Sequence, residues 1–165
     1  IASSIVKIAL DINPDQVTLV PERRQEITTE GGLDVVKNRK RLGIVCDQFR
    51  KKGIEVSLFI APDKKQIDAT KALGIPTIEL HTGAYAHAFA DRDEGKELAR
   101  IKNMTAYAHQ LGLIVNAGHG LNYQNVSKIA RIKEMNELNI GHAIISRAVF
   151  VGLKTAVKEM LALLK

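Results

Sequence analysis

One cysteine, Cys46, stands in the whole sequence, so no internal disulfide can form and the chain suits a reducing, cytoplasmic setting. Tryptophan is absent and aromatic residues make up only 4%, which leaves no platform on which bases could stack. No run approaches the ~18 apolar residues that a membrane span requires. Ser3, Ser4 and Lys7 interrupt the first ten residues too often for a secretory segment. An initiator methionine is missing as well. The sequence opens inside an amphipathic stretch, with Ile1, Ile5, Ala9 and Ile12 at helical spacing. That opening reads as a fragment boundary.

What is present is the composition of an ordinary globular chain: 165 residues, 45% hydrophobic and 25% charged. It fits one domain, residues 1–165, with a sizeable core. The formal charge of +6 gathers in Lys37-Asn38-Arg39-Lys40-Arg41 and Arg50-Lys51-Lys52, on the outer face of one expected helix. A solvated face accounts for it best, a small anionic substrate next, and nucleic acid last. Cys46 falls on the same helix and reads as a core packer rather than a nucleophile.

Helices and strands alternate strictly. Helices are expected over 1–12, 33–52, 62–73, 93–111, 124–130, 143–150 and 153–164. Short strands are expected over 16–20, 55–60, 77–81, 113–116 and 138–140, with a long loop from Thr82 to Arg92. The strands read as apolar on both sides, the mark of a parallel sheet covered on both faces. A doubly wound sheet and a (β/α)8 barrel both satisfy this pattern. No GxGxxG follows the first strand, which removes the usual dinucleotide signature. Glu79 and His81 lie two apart and share a face, and Asn116 ends the next strand. Polar groups inside a sheet need a polar cavity, and a TIM barrel mouth supplies one. Five strands do not close a barrel. The expectation is therefore an N-terminally truncated piece with three β/α units missing, about two-thirds of a ~250-residue barrel.

Two turns draw attention. Asn116-Ala117-Gly118-His119-Gly120 follows one strand, and Gly141-His142 follows the next. Glycines at such positions let the backbone approach a ligand, and free amides at a helix start favour an anion. The glycines could equally just shape tight turns, but two in succession favour phosphate. His119, between two glycines, is a candidate general acid or base; a solvated loop histidine is the plain alternative. Glu79 could relay protons or stabilise developing positive charge. A metal site built from His81, His119, His142 and Glu79 is the weakest reading, since neither HxH nor HExxH is present. His87 and His109 read as surface residues. The polar run from Pro21 to Gly32, with hydroxyls at Thr28 and Thr29, has the character of a ligand-binding loop.

Taken together, LVPERRQEITTEGGLDV, EVSLFI, IELHTGAYA, LIVNAGHGLNYQNV and ELNIGHAIISRAV closely resemble the pyridoxine 5′-phosphate synthase family, in order and over nearly the whole chain. The resemblance implies a (β/α)8 barrel that condenses 1-deoxy-D-xylulose 5-phosphate with 3-amino-2-oxopropyl phosphate. The products are pyridoxine 5′-phosphate, phosphate and water, and no metal or organic cofactor takes part. It implies that His119 is a general acid and that Glu79 stabilises the transition state. Thr28 would touch the deoxyxylulose phosphate, while Gly120, Gly141 and His142 hold the phosphate of the aminoketone. It also implies a homo-oligomer whose partners are two small phosphorylated substrates, with neither nucleic acid nor membrane. The family's remaining catalytic histidine and glutamate belong to the first three strands, so these 165 residues alone are expected to be inactive. A non-catalytic phosphate-binding barrel or regulatory subunit is the competing function.

Overall fold

The computed structural model describes residues 2–21 and 31–164. Its elements run α1 (Ser3–Ile12), β1 (Gln16–Leu19), α2 (Val35–Lys51), β2 (Glu55–Ile60), α3 (Lys64–Ala72), β3 (Thr77–His81), α4 (Gly83–Ala90), α5 (Gly95–Gln110), β4 (Ile114–Gly118), α6 (Val126–Ala130), β5 (Glu137–Asn139), α7 (His142–Val151) and α8 (Leu153–Ala162). The five strands form one parallel sheet in the order β1-β2-β3-β4-β5. Each strand thus neighbours the next in sequence, and the helices between them make the crossovers that parallel pairing demands. The result is an α/β half-barrel, open at both edges.

Two expectations fail here. The segment after β3 is not a loop: Gly83–Ala90 is the helix α4. Four alanines in GAYAHAFA lower the cost of helix formation, and Tyr85 is fully buried, so packing supports what propensity begins. Nor are the strands apolar on both sides. In β2, Val56, Leu58 and Ile60 are buried apolar residues, while Glu55, Ser57 and Phe59 occupy the alternate positions. The same period of two gives Ile78 and Leu80 against Thr77, Glu79 and His81 in β3, and Val115 and Ala117 against Asn116 and Gly118 in β4.

The parallel register aligns these alternations across the sheet. Leu58 pairs with Ile78 and Ile78 with Val115. Those residues join Leu42, Phe49, Ile67, Ile101 and Ala108 from the helices in one continuous core. Each of the larger fully buried side chains among them contributes roughly 1.5–3 kcal/mol of hydrophobic free energy. On the other face, Phe59 pairs with Glu79 and Glu79 with Asn116, then His81 with Gly118 and Gly118 with Asn139. The polar row is a property of the register. It runs toward the C-terminal ends of the strands.

The helix ends follow ordinary rules. Asp34 caps α2 by accepting from the Lys37 amide at 3.0 Å, and Asp63 caps α3 through the Lys65 and Gln66 amides. Cys46 lies inside α2 at 1% exposure, and burial pushes its thiol up to about 11, which removes it as a nucleophile at neutral pH. Lys37, Arg39, Lys40, Arg41, Arg50, Lys51 and Lys52 are all exposed, the solvated helix face that the sequence implies. No helix of the described residues is long and apolar enough to cross a membrane.

Candidate functional site

Where β3 and β4 end side by side, their last residues and the turn beyond them build the site. His81 lies in register with Gly118, and His119 follows immediately. Its backbone has φ of 82°, a left-handed conformation that costs a non-glycine residue on the order of 1–3 kcal/mol. Thr82 holds it there: the buried hydroxyl shares its one proton between the carbonyls of Gly118, at 2.8 Å, and His119, at 2.6 Å. The Thr82 amide adds a third bond, to the Gly118 carbonyl at 2.9 Å. So fixed, the turn presents an exposed His119 imidazole stacked on the ring of His81, with centroids 4.7 Å apart and planes 23° from parallel.

His81 is enclosed. Its ring meets Phe59 edge-on at 5.1 Å, and its Nδ1 accepts the Gly83 amide at 3.3 Å. Burial first, then the nearby His119 and His87, pull its pKa down to about 4. It is neutral at physiological pH.

Glu79 lies one step deeper on the same face, 9% exposed. Burial raises its pKa, the neighbouring Glu137 adds to the rise, and a hydrogen bond from Asn139 opposes it. That bond, Asn139 Nδ2 to Glu79 Oε2, measures 2.7 Å. Space beside the carboxyl exists only because residue 118 has no side chain: a Cβ there would stand 2.2 Å from Glu79 Oε1. In a protein of the relatives' full length, Gly118→Ala is therefore expected to push the carboxyl from its bond with Asn139 and to cut turnover at least 10-fold. Steady-state assay of the variant against its parent checks this, and unchanged turnover with an unchanged melting temperature would sink it.

The two glycine–histidine turns share one cleft of about 530 Å³, lined by His119, Gly120, Asn139, Gly141, His142 and Ser146 among others. Its glycines differ in kind. Gly120 has φ of +77°, and a Cβ there would press within 2.7 Å of Ala86 Cβ, so the fold itself demands a glycine. Gly141 has φ of −111°, and nothing lies within 4 Å of where its Cβ would be. Among the described residues no contact explains the second glycine. It opens α7, whose first amides have no partner within the helix, directly onto the cleft.

Of the residues singled out from sequence, His119, Gly120, Gly141 and His142 meet in this cleft, and Glu79 joins it through Asn139. Thr28 lies outside the described residues, so its place in the site is not described. His87 and His109 are exposed. Among the described residues no three His, Cys, Asp or Glu side chains cluster as a metal site would require. Sequence reasoning passed over Asn139 and Thr82, and weighed His81 only as a metal ligand. The signal for Asn139 was present: a polar residue at the end of a short strand, one strand over from Glu79.

The family model for "Pyridoxal phosphate biosynthesis protein PdxJ" matches residues 1–165. A pyridoxine 5′-phosphate synthase from Coxiella burnetii is 56% identical over 163 residues, covering 99% of this chain and 68% of the relative. One from Pseudoalteromonas translucida is 52% identical over 160 residues, covering 97% and 66%. Among solved structures, a chain of the BexX/CysO complex of Amycolatopsis orientalis superposes with a TM-score of 0.58 at 16% identity, covering 95% of this chain and 60% of that one. The CutC protein of Streptococcus agalactiae follows at 0.52 and 16%, covering 84% and 64%. At such identity these two speak to fold alone.

Proposed function

The chain belongs to the pyridoxal phosphate biosynthesis PdxJ family, and from that membership we propose that its cleft is the aminoketone-phosphate half of a pyridoxine 5′-phosphate synthase active site. The reaction joins 1-deoxy-D-xylulose 5-phosphate to 3-amino-2-oxopropyl phosphate and releases pyridoxine 5′-phosphate, phosphate and water. Gly141 carries the reading. A glycine that no contact among the described residues requires, at the start of a ten-residue helix and on a polar cleft, serves an anion that must come close. Gly120 and His142 complete the phosphate grip, and Thr28 touches the other substrate.

Imine formation, water loss and aldol-like ring closure each move protons. His119, exposed to the cleft and held by Thr82, is the general acid. Glu79, buried beside it, stabilises the positive charge that develops on the condensing amine. Binding both substrates in one cleft replaces a rare encounter by an intramolecular closure. The residues need neither metal nor organic cofactor for these steps. We place the sheet in a complete (β/α)8 barrel within a cytoplasmic homo-oligomer. Exposed apolar residues on α7 and α8, Phe150 at 83% and Val149 at 79% among them, supply a surface such contacts would cover.

The test is an assay of phosphate release and product formation with both substrates, in a protein of the relatives' full length, beside calorimetry with each substrate alone. Release coupled to product is the expected result. Binding of either phosphate ester without release would favour a non-catalytic phosphate-binding barrel instead.

A further inference from the structure

We propose that His81 is a positioning residue for His119, holding its imidazole by a ring-on-ring stack in the orientation that proton transfer to substrate requires. This rests on the reading of His119 as the general acid. Thr82 fixes the backbone of His119 but leaves its side chain two free torsions. The ring is exposed, and an exposed imidazole hops between rotamers on a fast timescale. Among the described residues, the rings that meet it are His81, stacked at 4.7 Å, and Phe59, tilted at 6.4 Å. The stack is what removes that freedom.

His81 is built to be immobile. Phe59 closes one side of its ring. Two backbone segments close in around it, since a Cβ on Gly31 would stand 2.8 Å from its Cε1 and a Cβ on Gly83 only 2.4 Å. The Gly83 amide donates to Nδ1, so the ring proton resides on Nε2 and the ring carries no charge. Burial keeps it so down to about pH 4. A neutral face can receive His119 in either protonation state without like-charge repulsion, as a general acid that cycles between the two requires. Arginine or lysine at position 81 would lose that property, and an aliphatic residue would lose the ring face.

Three variants separate the stack from the other contacts. His81→Ala removes everything, His81→Asn keeps an acceptor for the Gly83 amide without a ring, and His81→Phe keeps a ring without the acceptor. In a protein of the relatives' full length, the Ala and Asn variants are expected to lose about tenfold in kcat, ~1.4 kcal/mol of barrier, with KM for both substrates within about twofold. The Phe variant is expected to recover most of that loss. The ring protons of His119, shifted upfield by the stack in proton NMR spectra, should move downfield in the Ala and Asn variants and stay in place with Phe. Parental kcat in both the Ala and Asn variants, with His119→Ala inactive, overturns the inference and leaves the assignment of His119 standing. Full activity in His119→Ala overturns that assignment instead. A rise in KM at constant kcat also refutes positioning, because it makes His81 a substrate contact. If the Phe variant fails to fold, kcat of the Asn variant decides: a tenfold loss at constant KM supports positioning, and parental kcat overturns it.

Discussion

His119→Ala, in a protein of the relatives' full length, is expected to lower kcat by about 10³-fold, within the ~10²–10⁴ that a positioned acid or base contributes. Stability should change little. The imidazole is exposed, and the left-handed φ of 82° burdens alanine as it burdens histidine. His142→Ala supplies the contrast. His142 is the first residue of α7, also exposed and on the same cleft, but its assigned part is to grip a phosphate in ground state and transition state alike. Its loss should raise KM for the aminoketone phosphate and leave kcat nearly unchanged, as removal of uniform binding does. Steady-state kinetics on the pair checks both. A kcat loss of equal size in the two variants would mean that labour is not divided between the turns in this way.

The two turns themselves were readable because of where glycine falls. A strand that ends in Gly-His-Gly, and another that ends in Gly-His, announce backbone turns open to a ligand, and both turns line the cleft. The parallel order of the sheet was equally legible, since apolar runs separated by helical segments allow little else. Other features were hidden. The strands read as apolar on both sides because a composition count does not distinguish Glu79 on one face from Leu80 on the other; spacing put Glu79 and His81 on one face, and the register extends that face to Asn116. The helix α4 was hidden by its own first residue, because glycine at 83 reads as a loop signal. The structure gives that glycine a different reason: its missing Cβ makes room for the rings of His81 and His119. Asn139 carried a local signal, a polar residue ending a short strand, but its partner Glu79 lies 60 residues away in sequence.

Glu79→Gln is expected to separate stability from function. Burial raises the folded-state pKa of Glu79, so the fold favours the protonated carboxyl. That contribution is fully present below the unfolded carboxylate pKa of ~4.3 and is lost as pH rises through the folded value. At pH 8 the ionised carboxylate is therefore a burden on the fold. Glutamine removes the charge while its carbonyl can still accept from Asn139, whose amide now donates to Glu79 at 2.7 Å. The variant should melt higher than its parent at pH 8. The gain should vanish by pH 4, where the parent carboxyl is itself neutral. In a protein of the relatives' full length, turnover at pH 8 should fall at least ~10²-fold, because an amide does not stabilise positive charge developing on the amine as a carboxylate does. Thermal melts at the two pH values, with activity measured on the same samples, check all three outcomes. A lower melting temperature at pH 8 would show that a cation compensates the buried charge, and retained turnover would remove Glu79 from the chemistry.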